Sequence, residues 1–324
     1  MILRAGAAHY TPIVIVHLNG QLIPAAEAKV SPFDRGFIFG DGIYEGLRAA
    51  ALPGGRRVVG MQRHVRRMMS GLRQAGIAWD ATELAAITGA LLDANGLNDA
   101  FIYWQVTRGT PDLVRGPVRS RVPAPGMKPT VFGYCSALPP IELDHPVPAV
   151  KSAAVRADLR WSRGDVKCVS LLGNVLEALA AHADYGADEA ILVRDVGGRK
   201  LVTEGTYTNV VLVHGHGAGG KMEFVTPALD SAPMLCGITR EILCEVEPRI
   251  VQRPVPASEL TTASEVLLIG TTTMVTAVTK LDGKPVGDGQ IGPGARELLR
   301  VLTGVIARGE DDLLTAASAS ASHG

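Results

Sequence analysis

Residues Asp165–Asn209 read DVKCVSLLGNVLEALAAHADYGADEAILVRDVGGRKLVTEGTYTN. Lys167 is the only lysine between Lys151 and Lys200, and after it Leu171, Leu172, Val175, Leu176 and Leu179 recur at helical spacing. An ammonium at the edge of an apolar helix loses hydration, so its pKa falls and the amine becomes usable as a nucleophile or base. Glu204 and Gly205 then close a hairpin that runs into Thr206, Tyr207, Thr208 and Asn209. Amine, carboxylate and hydroxyls are the groups needed to hold an aldehyde cofactor with a basic ring nitrogen. Taken singly, Lys167 also reads as a surface lysine before a helix and Glu204 as a solvated turn residue.

Working outward, the 324 residues carry 32 basic and 32 acidic side chains, a formal net charge of zero. That balance offers nothing to a nucleic acid backbone. At 47% hydrophobic and 20% charged, the chain can bury a sizeable core, and its length fits two modest domains. Cys135, Cys168, Cys236 and Cys244 show no C-x-x-C spacing, which argues against a zinc site or a disulfide framework, and no metal is expected. MILRAGAAHYTP lacks the apolar core of a signal peptide and no window approaches a membrane span, so a cytoplasmic protein is expected.

On the N-terminal side, IVIVHL reads as a strand, Asn19-Gly20 as a type I′ turn and QLI as the return strand. PFDRGFIFGDG sets Gly36, Gly40 and Gly42 among aromatics, a backbone folded closely against something, before IYEGLRAA resumes as a strand. Val65, Met68, Met69 and Leu72 mark one amphipathic helix and residues 81–95 a second. AFIYWQVTRG and PTVFGYCSA read as core strands joined by a long loop, 110–128, with Pro111, Pro117, Pro123 and Pro125 among Arg115, Arg119 and Arg121. Residues 138–146, starting at Pro139-Pro140, read as a linker between a small domain over 1–137 and a larger one over 147–324, with a disordered tail from about 314. The larger part alternates short strands with helices, including ITREILCEV and a final helix over 295–307. Antiparallel strands with helices set to one side give an α+β class for both parts. Gly215, Gly217 and Gly220 satisfy G-x-G-x-x-G, but the run joins two strands, whereas a dinucleotide fingerprint must open a helix.

Three blocks together resemble the pyridoxal-phosphate (PLP) aminotransferases of class IV, fold type IV, the family of D-amino-acid aminotransferase, branched-chain aminotransferase and aminodeoxychorismate lyase. They are the Asp165–Asn209 stretch, SPFDRGFIFGDGIYE at 31–45 and CGITR at 236–240. The resemblance implies two α+β domains with the cofactor in the cleft between them, in a homodimer whose partner chain helps close the site. It makes Lys167 the residue that forms a Schiff base with PLP and later carries a proton, and Glu204 the carboxylate that keeps the ring nitrogen protonated. For the phosphate it implies Gly237, Ile238 and Thr239 at a helix start, Thr271 and Thr272 in the IGTTT run, and Arg67. Leu235 matches the position that packs under the ring, with Thr208 and Asn209 beside the cofactor.

For the substrate, the resemblance places Tyr44 on the substrate side of the ring, with Tyr103 and Gln105 facing the donor. D-amino-acid aminotransferases then clamp the α-carboxylate with an arginine and a histidine two residues apart, where this chain has Leu113 and Arg115. Several members of the family therefore remain open. A D-amino-acid aminotransferase would hold the carboxylate through Arg115, Arg108 or another loop arginine. An (R)-selective amine transaminase would need no clamp, and a branched-chain aminotransferase is suggested by Arg48 in Y-E-G-L-R. Aminodeoxychorismate lyase shares the cofactor site, and a PLP-binding paralogue without turnover is the non-enzyme reading. The expected partners are a small amino donor and a 2-oxo acid acceptor.

Overall fold

The computed structural model describes residues 14–114, 119–215 and 222–313. Its first part is a six-stranded sheet. β1 (Ile15–Leu18) and β2 (Gln21–Pro24) form a hairpin whose turn residues Asn19 and Gly20 both take positive φ, 49° and 87°, as a type I′ turn requires. The glycine-rich segment that follows is a helix, α1 (Arg35–Phe39), which the sequence reading did not anticipate. Asp34 caps it by accepting from the Gly36 amide at 2.8 Å, and Gly40 ends it at φ 65°.

β3 (Gly42–Leu52), β4 (Gly55–Val58), α2 (Met61–Ala75), α3 (Leu84–Asn95), β5 (Ala100–Thr107) and β6 (Thr130–Ala137) complete this part, with strand order β2-β1-β6-β5-β3-β4. The apolar stripe of α2, Val65, Met68 and Leu72, is buried against Ile43, Leu47 and Trp104 of the sheet. Two turns of burial at i, i+3 and i+7 are what hold this helix in register on β3.

The chain crosses from β6 to β7 (Ala149–Ala157) and builds a nine-stranded sheet. Its other members are β8 (Glu189–Val196), β9 (Arg199–Gly205), β10 (Asn209–His214), β11 (Glu223–Pro227), β12 (Ile250–Arg253), β13 (Glu265–Gly270), β14 (Met274–Leu281) and β15 (Lys284–Pro285). Helices α4 (Leu172–Tyr185), α5 (Ile238–Val246) and α6 (Pro293–Arg308) accompany them. The order is β12-β11-β10-β13-β14-β7-β8-β9, with β15 beside β14. β9 is at one edge and β10 near the other, yet only Thr206–Thr208 separate them in sequence. The sheet must therefore curl until its edges adjoin, and the expected Glu204-Gly205 hairpin is instead a tight link across that closure, with the Gly205 amide donating to the Thr208 carbonyl at 2.7 Å.

Most strand pairs are antiparallel; β11/β12, β14/β7 and β7/β8 are parallel. Phe224, Ile242, Leu298 and Leu302 pack in one core of the curled sheet and Val210, Leu212, Val266 and Leu268 in another, and a small third cluster, Ala154, Ala181, Ala190 and Leu192, joins α4 to β7 and β8. The Leu171 run does form α4, but Leu172, Val175, Leu176 and Leu179 are 70, 48, 54 and 60% exposed. That apolar edge faces outward, so it cannot be what strips water from Lys167. β10 and β11 pair as a hairpin, as expected for the glycine run between them, although Gly217 and Gly220 lie outside the described residues. Among the described residues no helix is long and apolar enough to cross a membrane and no cluster of side chains suits a metal ion.

Candidate active site

A cavity of about 580 Å³ opens where the two sheets meet. Its walls include Lys167, Glu204, Arg67, Tyr44, Thr208, Asn209, Leu235, Gly237, Ile238, Thr271 and Thr272, residues drawn from both parts of the chain. Lys167 sits on the link from β7 to α4, and this link is tied to β3: the Tyr44 amide donates to the Lys167 carbonyl at 3.0 Å and the Val169 amide to the Gly42 carbonyl at 3.0 Å. The backbone pairing fixes the lysine, and its Nζ stands 4.2 Å from the centroid of the Tyr44 ring, over a π face that attracts a cation.

Glu204 is the last residue but one of β9, 5% exposed, and three donors meet it. Arg160 Nη1 donates to Oε1 at 2.7 Å, while the Leu235 amide and Asn209 Nδ2 donate to Oε2 at 3.1 and 3.3 Å. Burial pushes its carboxyl up to about 7, against the opposing pull of Arg160, the Leu235 amide and Lys167. Arg160 is itself held by Asp158, which accepts from its Nε at 2.9 Å and its Nη2 at 3.0 Å and also accepts from Arg194. Neither Arg160 nor Asp158 was singled out in the sequence, because the loop that carries them has no periodic pattern.

At the opposite end, α5 begins at Gly237 with no side chain capping it, so its first amides face the cavity with the positive end of the helix dipole. A Cβ on Gly237 would lie 2.0 Å from Asn209 Oδ1, although its φ of −69° suits any residue; the glycine is required for room, not for conformation. Arg67 reaches the same end from α2. Its Nε and Nη2 grip Glu45 at 2.7 and 2.6 Å and its Nη1 donates to the Cys236 carbonyl at 2.9 Å. Glu45 also contacts His64 Nδ1 at 2.7 Å and is fully buried. Burial would raise its carboxyl, but Arg67 and His64 outweigh that and hold it down at about 2. Glu45 was missed in the sequence: it alternates with Tyr44 along β3, so it points to the other face, where only α2 can meet it.

Other candidates are placed differently. Thr239 is buried and borders a small adjoining void with His64 and Thr271. Tyr103 and Gln105 lie one strand behind the cavity wall: the Tyr103 hydroxyl donates to Gln105 Oε1 at 2.8 Å and its ring stacks on Tyr44 at 5.7 Å. Arg48 is a brace, 8% exposed, donating to the Pro139 carbonyl at 2.9 Å and the Thr272 carbonyl at 3.4 Å; it joins β3, the crossing segment and the β13–β14 turn. Arg108 is tied to Asp41 at 2.7 and 2.9 Å. Arg115 lies outside the described residues.

The chemistry of this donor set fits a phosphorylated pyridine aldehyde. An uncapped helix end and an arginine suit a phosphate, a carboxyl raised by burial and held by donors suits a ring nitrogen, and a lysine at the cavity wall suits an aldehyde carbon.

Comparison with known proteins agrees. The family model for class IV amino-transferases matches residues 42–281. D-alanine aminotransferase of Staphylococcus haemolyticus is 33% identical over 294 residues, covering 87% of this chain and 94% of that protein. A putative branched-chain-amino-acid aminotransferase of Methanocaldococcus jannaschii is 29% identical over 289 residues, covering 87% and 93%. Among solved structures, the Escherichia coli branched-chain amino acid aminotransferase superposes with a TM-score of 0.78 at 22% identity, covering 92% of this chain and 96% of that one. The Thermoproteus uzoniensis branched-chain aminotransferase with norvaline gives 0.75 at 24%, with the same coverage.

Proposed function

From a chain that belongs to the class IV aminotransferases, with their type IV fold and pyridoxal phosphate as cofactor, we propose a transaminase that moves an amino group between a D-amino acid and a 2-oxo acid. The observation that carries this reading is that Lys167, Glu204, Arg67 and the start of α5 all border one cavity. When bound, the cofactor supplies an electron sink for the carbon that loses its proton.

The chain's own groups have separate tasks in this reading. Lys167 Nζ would hold the aldehyde carbon of the cofactor, and the same amine is placed to take the proton from the donor carbon and to give one back. Glu204, braced by Arg160 and Asn209, keeps a proton on the ring nitrogen opposite. The amides of Ile238 and Thr239, the Thr271-Thr272 turn and Arg67 hold the phosphate. Leu235 and Tyr44 line the cavity where they can hold the ring and the donor in place.

The D-amino acid assignment is supported by the 33% and 32% identity to staphylococcal D-alanine aminotransferases, higher than the 29% to the putative branched-chain enzyme. Arg48 does not support the branched-chain alternative, since it is not among the cavity walls and its terminal nitrogens donate to the Pro139 and Thr272 carbonyls. The proposed acceptor and donor are small molecules, and the proposed assembly is a pair of identical chains.

The experiment is spectroscopic. On adding pyridoxal phosphate, the protein is expected to show a visible absorption band that borohydride abolishes and that the Lys167→Ala variant lacks. D-alanine and D-glutamate are expected to bleach it, whereas L-leucine, (R)-1-phenylethylamine and aminodeoxychorismate are not. A colourless protein would refute the aminotransferase site, and bleaching by L-leucine alone would refute the D-amino acid assignment.

A further inference from the structure

The start of a helix leaves backbone amides that only an acceptor can satisfy, and Gly60, at the start of α2, has no side chain to offer one. The acceptors come from the other end of the chain. Asp311 Oδ2 accepts from the Gly60 amide at 2.8 Å, and Asp312 Oδ1 accepts from the Gln62 amide at 3.0 Å. Arg63, 1% exposed, closes the joint from the helix side, donating from Nε to the Asp311 carbonyl at 2.8 Å and from Nη2 to the Leu313 carbonyl at 2.6 Å. The same guanidinium binds Glu241 and Glu245 of α5, each at 2.7 Å. The first turn of α2, the segment after α6 and the helix whose start faces the cavity therefore converge on one buried arginine.

One turn further along α2, Arg67 enters the cavity wall between Glu45 and the Cys236 carbonyl. A rigid helix transmits the placement of its first turn to its second, so whatever fixes residues 60–63 also fixes where Arg67 stands relative to α5. We infer that Asp311 and Asp312 are positioning residues for the cofactor phosphate: they cap α2 in trans, from about 250 residues away, and so hold Arg67 in register with the start of α5. Two carboxylates at that end also match the positive pole of the α2 dipole. The inference rests on Arg67 being a phosphate ligand, as proposed above.

The test compares pyridoxal phosphate with pyridoxal, which lacks the phosphate, by titrating the visible band in wild type, Asp311→Ala, Asp312→Ala and Arg67→Ala. Losing one or two cap bonds is expected to weaken pyridoxal phosphate by roughly three- to tenfold while pyridoxal changes by less than about twofold. Asp311→Asn, which keeps an acceptor oxygen, is expected to restore most of the loss. Equal weakening of both ligands would mean general destabilisation and would overturn the inference, as would no weakening of either. If Arg67→Ala loses no preference for the phosphate, the phosphate reading of Arg67 fails; if it does and the aspartate variants do not, only the trans cap fails. Should Asp311→Ala not fold, Asp312→Ala and faster hydrogen exchange of the α2 amides carry the test, and unchanged exchange there would also overturn it.

Discussion

Arg160 donates to Glu204 across 2.7 Å while Asp158 holds the rest of the guanidinium, so the carboxylate facing the cavity is backed by a charge that cannot swing away. Burial nevertheless wins and lifts the Glu204 carboxyl to about 7 from its ordinary 4.5. Between these values the folded chain binds a proton that the unfolded chain has released, so the cofactor-free protein should lose stability as pH rises from about 4.5 to about 7, with the full penalty present above that. Glu204→Gln does not titrate. The stability of wild type relative to this variant should therefore fall across that window by up to about 3 kcal/mol, measured by chemical denaturation at the two ends. A difference independent of pH would show that Arg160 keeps Glu204 ionised throughout.

With the cofactor bound, the same variant offers no negative charge to the ring nitrogen. Its half-reaction with a donor should slow by about a hundredfold or more, read as the bleaching rate of the visible band in stopped flow. A rate within a few-fold of wild type would remove Glu204 from the catalytic groups.

Gly237 makes a steric prediction. A methyl group there would meet Asn209 Oδ1 at 2.0 Å, and Asn209 also donates to Glu204 and to the Leu235 carbonyl. Gly237→Ala should thus disturb both ends of the cavity, the amides at the start of α5 and the support of Glu204. Cofactor affinity should drop by about tenfold or more, and the melting temperature of the cofactor-free protein should also fall, because the clash with the buried Asn209 costs stability even though the backbone angle suits alanine. Unchanged affinity would mean that Asn209 swings aside without consequence.

Much of this site was legible in the sequence because its parts are local: Lys167 just before α4, Glu204 just before a tight turn, and a glycine opening α5 are each visible within ten residues. The strands and helices came from the same kind of signal, periodicity over one segment. What was not legible depends on contacts between distant segments. Glu45 is buried because α2 delivers His64 and Arg67 onto the back of β3, and Arg160 matters because β9 ends beside it. Arg48 read as a substrate group because Y-E-G-L-R resembles the branched-chain enzymes at that position, but the carbonyls that it braces come from residues 139 and 272. β14, near the middle of the second sheet, is hard to read from sequence because MVTAVTKL sets the buried Thr276 and the half-buried Thr279 into an apolar run. The apolar face of α4 was read as inward because apolar periodicity marks a face without saying what covers it.

Glu45 gives a prediction at acid pH. Arg67 and His64 hold its carboxyl at about 2, well under the ordinary 4.5, so this group stabilises the folded chain fully above about 4.5 and the contribution is lost as pH falls toward 2. Glu45→Gln removes the titration and leaves Arg67 without its bidentate partner. The variant should bind pyridoxal phosphate less tightly at neutral pH, by about tenfold, and its own stability should depend less on pH between about 4.5 and 2 than that of wild type. Identical acid profiles for the two proteins would show that the Glu45 pair adds nothing to folding.

The outward face of α4 tests the assembly. Leu172, Val175, Leu176 and Leu179 form a stripe exposed at 48 to 70% on a helix that follows directly from Lys167. A stripe of this kind costs free energy in water, about 1.5 to 3 kcal/mol for each leucine that could be fully covered. The proposed pairing of two identical chains would cover it, and in a two-fold interface each substitution acts twice. Leu176→Glu together with Leu179→Arg should therefore shift the protein from dimer to monomer in analytical ultracentrifugation at micromolar concentration. The visible band should weaken with it, because Lys167 lies on the short link that leads into the same helix. A wild-type chain that sediments as a monomer would sink the pairing, and a variant that stays dimeric would place the interface on another face.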